Sequence, residues 1–143
     1  MAYGVQVTID CRDPHVLAEW WAETLGWSVE PQDEAFIRSM IEKGHATTAD
    51  TTEHRGALVW RDGVAIFHEG SPEGTRSRIY FQAVPEPKTA KNRVHLDVLT
   101  HGDNPVPIRQ WLIARGATEL YAASQGGHSW VTMADPEGNE FCI

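Results

Sequence analysis

The feature that most constrains this chain is an internal repeat. Asn92-Arg93-Val94-His95-Leu96-Asp97-Val98 alternates polar and apolar residues and echoes Val5-Gln6-Val7-Thr8-Ile9-Asp10-Cys11 near the start. Such alternation marks a half-buried strand, with His95 and Asp97 on one face and Val94, Leu96 and Val98 on the other. Further correspondences follow in the same order: Ile9-Asp10 with Leu96-Asp97, Leu25-Gly26 with Arg115-Gly116, and Ser71-Pro72-Glu73-Gly74 with Asp135-Pro136-Glu137-Gly138. Tyr80-Phe81-Gln82 matches Glu140-Phe141-Cys142 at the end of each copy. Four matches in one order imply a duplicated unit.

Each unit reads as strand, helix, then three strands. In the first, a strand over Gly4 to Cys11 meets Asp13, an N-cap, and Pro14 at the first helical position, where its missing N–H costs nothing. The helix carries Leu17, Trp20, Trp21, Thr24 and Leu25 and stops at Gly26. A short strand, Trp27 to Glu30, precedes an inserted amphipathic helix over Asp33 to Lys43, closed by Gly44. His45 to Arg55 is polar and Thr-rich and reads as a loop, so helix and loop together make a candidate lid. Ala57 to Trp60 and Val64 to His68 are expected to pair as a hairpin through Arg61-Asp62-Gly63, because Asp-Gly is a hairpin signal. A strand over Arg78 to Val84 ends this module.

The second module repeats the order. Its strand over Arg93 to Leu99 leads to a helix bearing Ile108, Trp111 and Leu112 that ends at Gly116, followed by a strand at Ala117 to Tyr121, a Gly126-Gly127 turn, and strands at His128 to Met133 and Glu140 to Ile143. Prolines at 85 and 87 remove ladder donors and mark the boundary. The expected division is module one at 1–85, a linker at 86–91 and module two at 92–143. The class is α+β: two tandem β-α-β-β-β modules whose curved mixed sheets surround a shared pocket, with an extra helix inserted in the first. Leu17, Trp20, Trp21, Ile108, Trp111 and Leu112 should bury the helix-facing sides of the sheets.

A net charge of −8 argues against a nucleic-acid surface, since phosphate binding needs clustered Lys and Arg. Lys88, Lys91 and Arg93 form too small a basic group, and no apolar run approaches bilayer length. Neither nucleic acid nor membrane is expected as a partner, and with no leader-like N-terminus the expected location is cytoplasmic. Cys11 and Cys142 read as reduced thiols.

The tandem unit, with Asp-Pro opening the first helix, Leu-Gly-Trp closing it and Asp-Pro-Glu-Gly-Asn before the last strand, resembles the vicinal oxygen chelate superfamily. Ile79-Tyr80-Phe81-Gln82, Val84-Pro85-Glu86-Pro87-Lys88 and His95-Leu96-Asp97 are similar to its glyoxalase-like subgroup. The resemblance implies a pocket enclosed by two sheets, with a divalent metal held by His and Glu from the first and last strands of each module. Carried onto this sequence, those places are His95 and Cys142 in module two and Gln82 with Gln6 in module one; the internal repeat puts Thr8 in place of Gln6. Neutral amides are weak ligands, so no resident metal is expected; a bound one would rest on His95 and Cys142. Asp10, Asp97 and Glu140 share the parity of the ligand places.

Two functions follow as expectations. One is binding of a small molecule in the inter-module cavity around a degenerate metal site, with a sequestering or resistance role. Gln6, Thr8, Tyr80, Gln82, Trp60, Trp130, Glu140 and Cys142 are its candidate contacts, because aromatic and polar groups in a cavity suit an organic ligand. The other is a metal-assisted or acid/base lyase, isomerase or dioxygenase using His95 with Asp97 and Asp10, where an imidazole suits proton transfer and paired carboxylates separate into acid and base. The ordinary alternative for the two aspartates is pairing with Arg93 or Lys91, or capping a loop. His68 and His128 join His95 only where their strands point inward. A homodimer is the expected assembly, and a dimeric scaffold without a ligand is the plainest reading of the chain.

Overall fold

The computed structural model describes residues 4–72 and 76–143. It divides into two compact units, Met1–Pro85 and Glu86–Ile143. In the first, β1 (Val7–Cys11), β2 (Ser28–Val29), β5 (Gly63–Phe67) and β6 (Arg78–Ala83) form a mixed sheet in the order β1-β6-β5-β2. Only β1 and β6 run parallel. Helix α1 (Pro14–Leu25) packs on β5 and β6. Asp13 accepts the Val16 N–H at its start, and Gly26, at φ 65°, closes its end in the left-handed conformation that a Cβ disfavours.

The second unit has the same topology. Strands β7 (Leu96–Asp97), β8 (Thr118–Gln125), β9 (His128–Ala134) and β10 (Glu140–Cys142) lie in the order β7-β10-β9-β8, with β7 and β10 parallel. Helix α3 (Pro105–Ala114) is capped by Asn104. The α+β class and the β-α-β-β-β repeat therefore stand. The register fixes the equivalences: Ile9 opposite Phe81 matches Leu96 opposite Phe141, and Asp10 opposite Gln82 matches Asp97 opposite Cys142.

In the first unit Leu17, Trp21, Ile66 and Phe81 are fully buried between α1 and one sheet face; in the second, Leu112, Met133 and Phe141 are the fully buried large side chains. Trp111 departs from expectation. It is 40% exposed, with the Arg115 guanidinium over its ring, because the α3 face that turns inward carries Leu112. Val94 is likewise 80% exposed, since β7 begins only at Leu96 and no sheet face continues beneath Val94.

The inserted region corrects two expectations. Helix α2 (Glu34–Glu42) forms as read, but the Thr-rich stretch after it contains a 3₁₀ turn (Thr48–Asp50) and a strand, β3 (Thr51–His54). That strand pairs with β4 (Ala57–Trp60), so β4 does not pair with β5 through Arg61-Asp62-Gly63. The actual hairpin turn is Arg55-Gly56, with φ of 49° and 81°, which matches the twist of a two-residue primed turn. Side chains satisfy the outer edge of β4: Gln32 and Glu34 accept the Trp60 and Leu58 N–H groups, and the His15 ring donates to the Trp60 carbonyl at 2.8 Å. The turn expected at Ser71-Pro72-Glu73-Gly74 lies in part outside the described residues.

The hairpin is also clamped to α1. Arg55 donates twice to Glu19, at 2.7 Å each, and His54 lies 2.8 Å from the same carboxylate and stacks on His15. The Arg55 hydrogen bond, opposed by partial burial and aided by His54, lowers the Glu19 pKa from 4.5 to about 2. A carboxyl whose pKa falls on folding stabilises the fold above its unfolded value, and that contribution fades as pH drops from 4.5 towards 2. The stability gap between the wild-type protein and Glu19→Gln, measured by urea unfolding across that range, should therefore narrow with falling pH. A gap independent of pH would remove the clamp from the account.

Candidate functional site

The β9 sequence His128-Ser129-Trp130-Val131-Thr132-Met133 alternates, and the structure turns Val131 and Met133 into the core. His128, Trp130 and Thr132 lie on the opposite face with Asp97 and Cys142, which are neighbours on β7 and β10. This face lines a concavity of about 890 Å³ within the second unit. The loop after β7, from Val98 to Asp103, and Tyr121 of β8 complete its wall.

Tyr121 reaches this face because of a bulge. Glu119 pairs with Met133, whereas Tyr121 pairs with Thr132, so one residue is left over and the parity of β8 changes between them. His128 and Trp130 stack with ring centroids 6.1 Å apart and 24° between planes, and Ala123 opposite Trp130 leaves the wall low there.

The chemistry-bearing groups converge at one end. His95 Nε2 lies 3.4 Å from Asp97 Oδ1, so Asp97 faces the imidazole rather than Arg93 or Lys91. One donor atom each from His95, Asp97 and Cys142 lies within 4.8 Å of the other two. Thr132 Oγ1 sits 3.5 Å from Cys142 Sγ. Glu140 also lines the concavity, but its carboxylate is engaged, receiving Lys88 Nζ at 3.0 Å and the Asn92 N–H at 3.1 Å. Burial acts to raise its pKa, but those two hydrogen bonds, a further one from the backbone and the Lys88 charge together hold the group below the ordinary carboxylate value.

The turn before β10 aims Cys142. Asp135 is buried and accepts the Glu137 N–H at 2.9 Å and the Asn139 N–H at 3.0 Å, while Gly138 takes a φ of 90°. Asp135→Ala strands these donors and should cost about 2 kcal/mol, the scale of hydrogen bonds to a charged acceptor. The measurement is a thermal or urea midpoint, and an unchanged midpoint would contradict it.

Of the first-module residues, Thr8, Asp10, Tyr80 and Gln82 lie on that module's own sheet. Thr8 is opposite Tyr80 and Asp10 opposite Gln82. Gln6 precedes β1 and accepts a hydrogen bond from Arg78, which also pairs with Glu30 at 2.6 Å. The register thus makes Thr8 the equivalent of His95, as the internal repeat has it. Trp60 is in the β3–β4 hairpin and not in the sheet that carries Tyr80 and Gln82. The Tyr80 ring packs against Gly63, where a Cβ would collide with it and with the Phe81 carbonyl. Burial and the Asp62 charge raise the Tyr80 pKa, so the phenol remains a neutral hydroxyl.

A family model for the glyoxalase-like domain matches residues 6–143. The chain belongs to that family. Solved structures that share its fold include several named as glyoxalase proteins. A putative glyoxalase family protein from Bacillus anthracis is 16% identical, with 99% of this chain and 93% of that one aligned at a TM-score of 0.51. A glyoxalase/bleomycin resistance protein/dioxygenase from Alicyclobacillus acidocaldarius is 11% identical over 98% and 88%, at 0.55. A trypanothione-dependent glyoxalase I from Leishmania major is 12% identical over 99% and 85%, at 0.56. At such identities the likeness concerns the fold. No protein of curated function matches the sequence. No helix among the described residues is long and apolar enough to cross a membrane.

The metal that this glyoxalase-like fold implies does not fit its usual donor set here. The two first-module places hold a hydroxyl, Thr8, and an amide, Gln82, neither of which replaces an imidazole or a carboxylate. Strong donors remain only at the second-module places, His95 and Cys142, with Asp97 beside them.

Proposed function

We propose that this glyoxalase-like protein binds a small, partly planar organic molecule on the polar face of its second-unit sheet and sequesters it. The observation that carries the reading is the concavity of about 890 Å³, a volume suited to such ligands, lined by the aromatic rings of Trp130 and Tyr121 together with His95, Asp97, Thr132 and Cys142. Aromatic walls supply apolar burial, and the His95–Asp97 end supplies orienting hydrogen bonds. Screening an organic compound library by tryptophan fluorescence, with chromatography of each hit afterwards, tests this. Hits are expected to quench and to be recovered intact; chemical conversion of the hits would end the sequestering role.

The His95–Asp97 contact supports a second reading, acid/base catalysis of the lyase or isomerase kind. On that reading His95→Ala retains binding of a hit and loses its conversion. Equal conversion by the variant would exclude His95.

A further inference from the structure

We propose that the ligand class of the second-unit concavity is the planar aryl enone, an α,β-unsaturated carbonyl compound, and that the Cys142 thiol captures it by covalent, reversible addition. That step rests on the reading of the concavity as a small-molecule site and adds a bond to it.

The two thiols of the chain differ in their surroundings. Cys11 is buried, and its Sγ donates to the Gln82 carbonyl at 3.5 Å, so it is withdrawn from solutes. Cys142 is half-buried at the wall of the concavity. A ring nitrogen of His95 and a carboxylate oxygen of Asp97 each lie within 4.8 Å of its Sγ, and Thr132 Oγ1 lies 3.5 Å away. An imidazole beside a thiol accepts the thiol proton as the sulfur attacks. Asp97 Oδ1, 3.4 Å from His95 Nε2, offsets the positive charge that the imidazole then gains. The His95 side chain is 43% exposed, so it turns towards the sulfur without disturbing the core.

The reaction balances within protein and ligand. A sulfur–carbon bond forms at the β-carbon, the carbon–carbon π bond opens towards the carbonyl, and the thiol proton passes through His95 to the α-carbon. No oxidant, reductant or leaving group is involved. Withdrawal of that proton by His95 expels the sulfur and returns the enone unchanged, so capture is storage and not turnover. During attack, negative charge develops on the enone oxygen. Lys91 lines the same concavity, and its ammonium has donors beyond the one given to the Asn92 carbonyl at 3.0 Å, so it supplies one there. The wall sets the aryl group. Cys142 is the register partner of Thr132, and Trp130, two residues along β9 on the same face, stands roughly 7 Å farther on. A ring joined directly to the reacting carbon spans that interval and stacks on the indole.

The probe is benzylideneacetone, incubated with the full chain. Borohydride reduction of the adduct's carbonyl fixes the bond, and intact mass with peptide mapping locates it. The expected result is one adduct per chain, on Cys142 and not on Cys11, formed faster than the same enone adds to glutathione. Cys142→Ser should lose the adduct, and His95→Ala, at an exposed position that does not test folding, should slow its formation on the order of 100-fold. No adduct, an adduct that persists in Cys142→Ser, or an unchanged rate in His95→Ala would overturn the capture. Benzylacetone, the saturated analogue, cannot add and reports on the pocket alone. It should quench tryptophan fluorescence and slow the addition by competition. Quenching by benzylacetone without addition of the enone sinks the capture and spares the pocket, whereas addition that benzylacetone leaves unslowed places the aryl group off this face and overturns the assigned ligand class.

Discussion

Phe81→Ala lowers the unfolding free energy by about 3 to 5 kcal/mol, the range for deleting a buried aromatic ring from a packed core. Phe81 has no exposed surface and sits on β6, the strand that pairs with both β1 and β5. Its register partners Ile9 and Val64 share the face on which α1 packs, so the vacated volume is walled by three strands and a helix and cannot collapse cheaply. The urea midpoint should fall at unchanged slope, because the surface exposed on unfolding hardly changes. A loss below about 1 kcal/mol would mean that α1 does not close this face.

Trp130→Ala weakens binding of a screened ligand by roughly tenfold or more, corresponding to about 1.5 to 3 kcal/mol for losing a large apolar contact. Trp130 is the large aromatic at the centre of the β9 face, half-buried, stacked with His128 and opposite the small Ala123. Removing the ring takes away both the contact and the wall. Trp130→Phe keeps an aromatic surface and should retain most of the affinity, as measured by calorimetry. Equal binding by Trp130→Ala would place the ligand elsewhere.

The parts of the fold legible in the sequence are those set by local chemistry. Asp13-Pro14 and Gly26 bound α1, Gly126-Gly127 turns β8 into β9 with both φ positive, and the Asp-Pro-Glu-Gly turn precedes β10. The misread parts depend on groups distant in sequence. Arg55 gives no hint of a positive φ, so the β3–β4 hairpin is hidden, and Asp62-Gly63 suggests a pairing that does not form: β4 pairs with β3, and the Gln32 amide takes the Trp60 N–H and the Gly63 carbonyl. At the site, His95 and Asp97 follow from strand parity and Cys142 from the family resemblance, and Thr132 would have followed from the alternation of β9. Tyr121 does not, because a bulge moved it to this face and no residue pattern announces a bulge.

The central claim is that the second-unit face binds an organic molecule without transforming it. The most direct test is a proton–nitrogen correlation spectrum of labelled protein in chelator, titrated with a hit from the fluorescence screen. The account predicts shifts centred on the Trp130 indole and the amides of His95, Asp97, Thr132 and Cys142, with the compound unchanged by mass. Shifts confined to residues of the first unit, or recovery of a product, would contradict it.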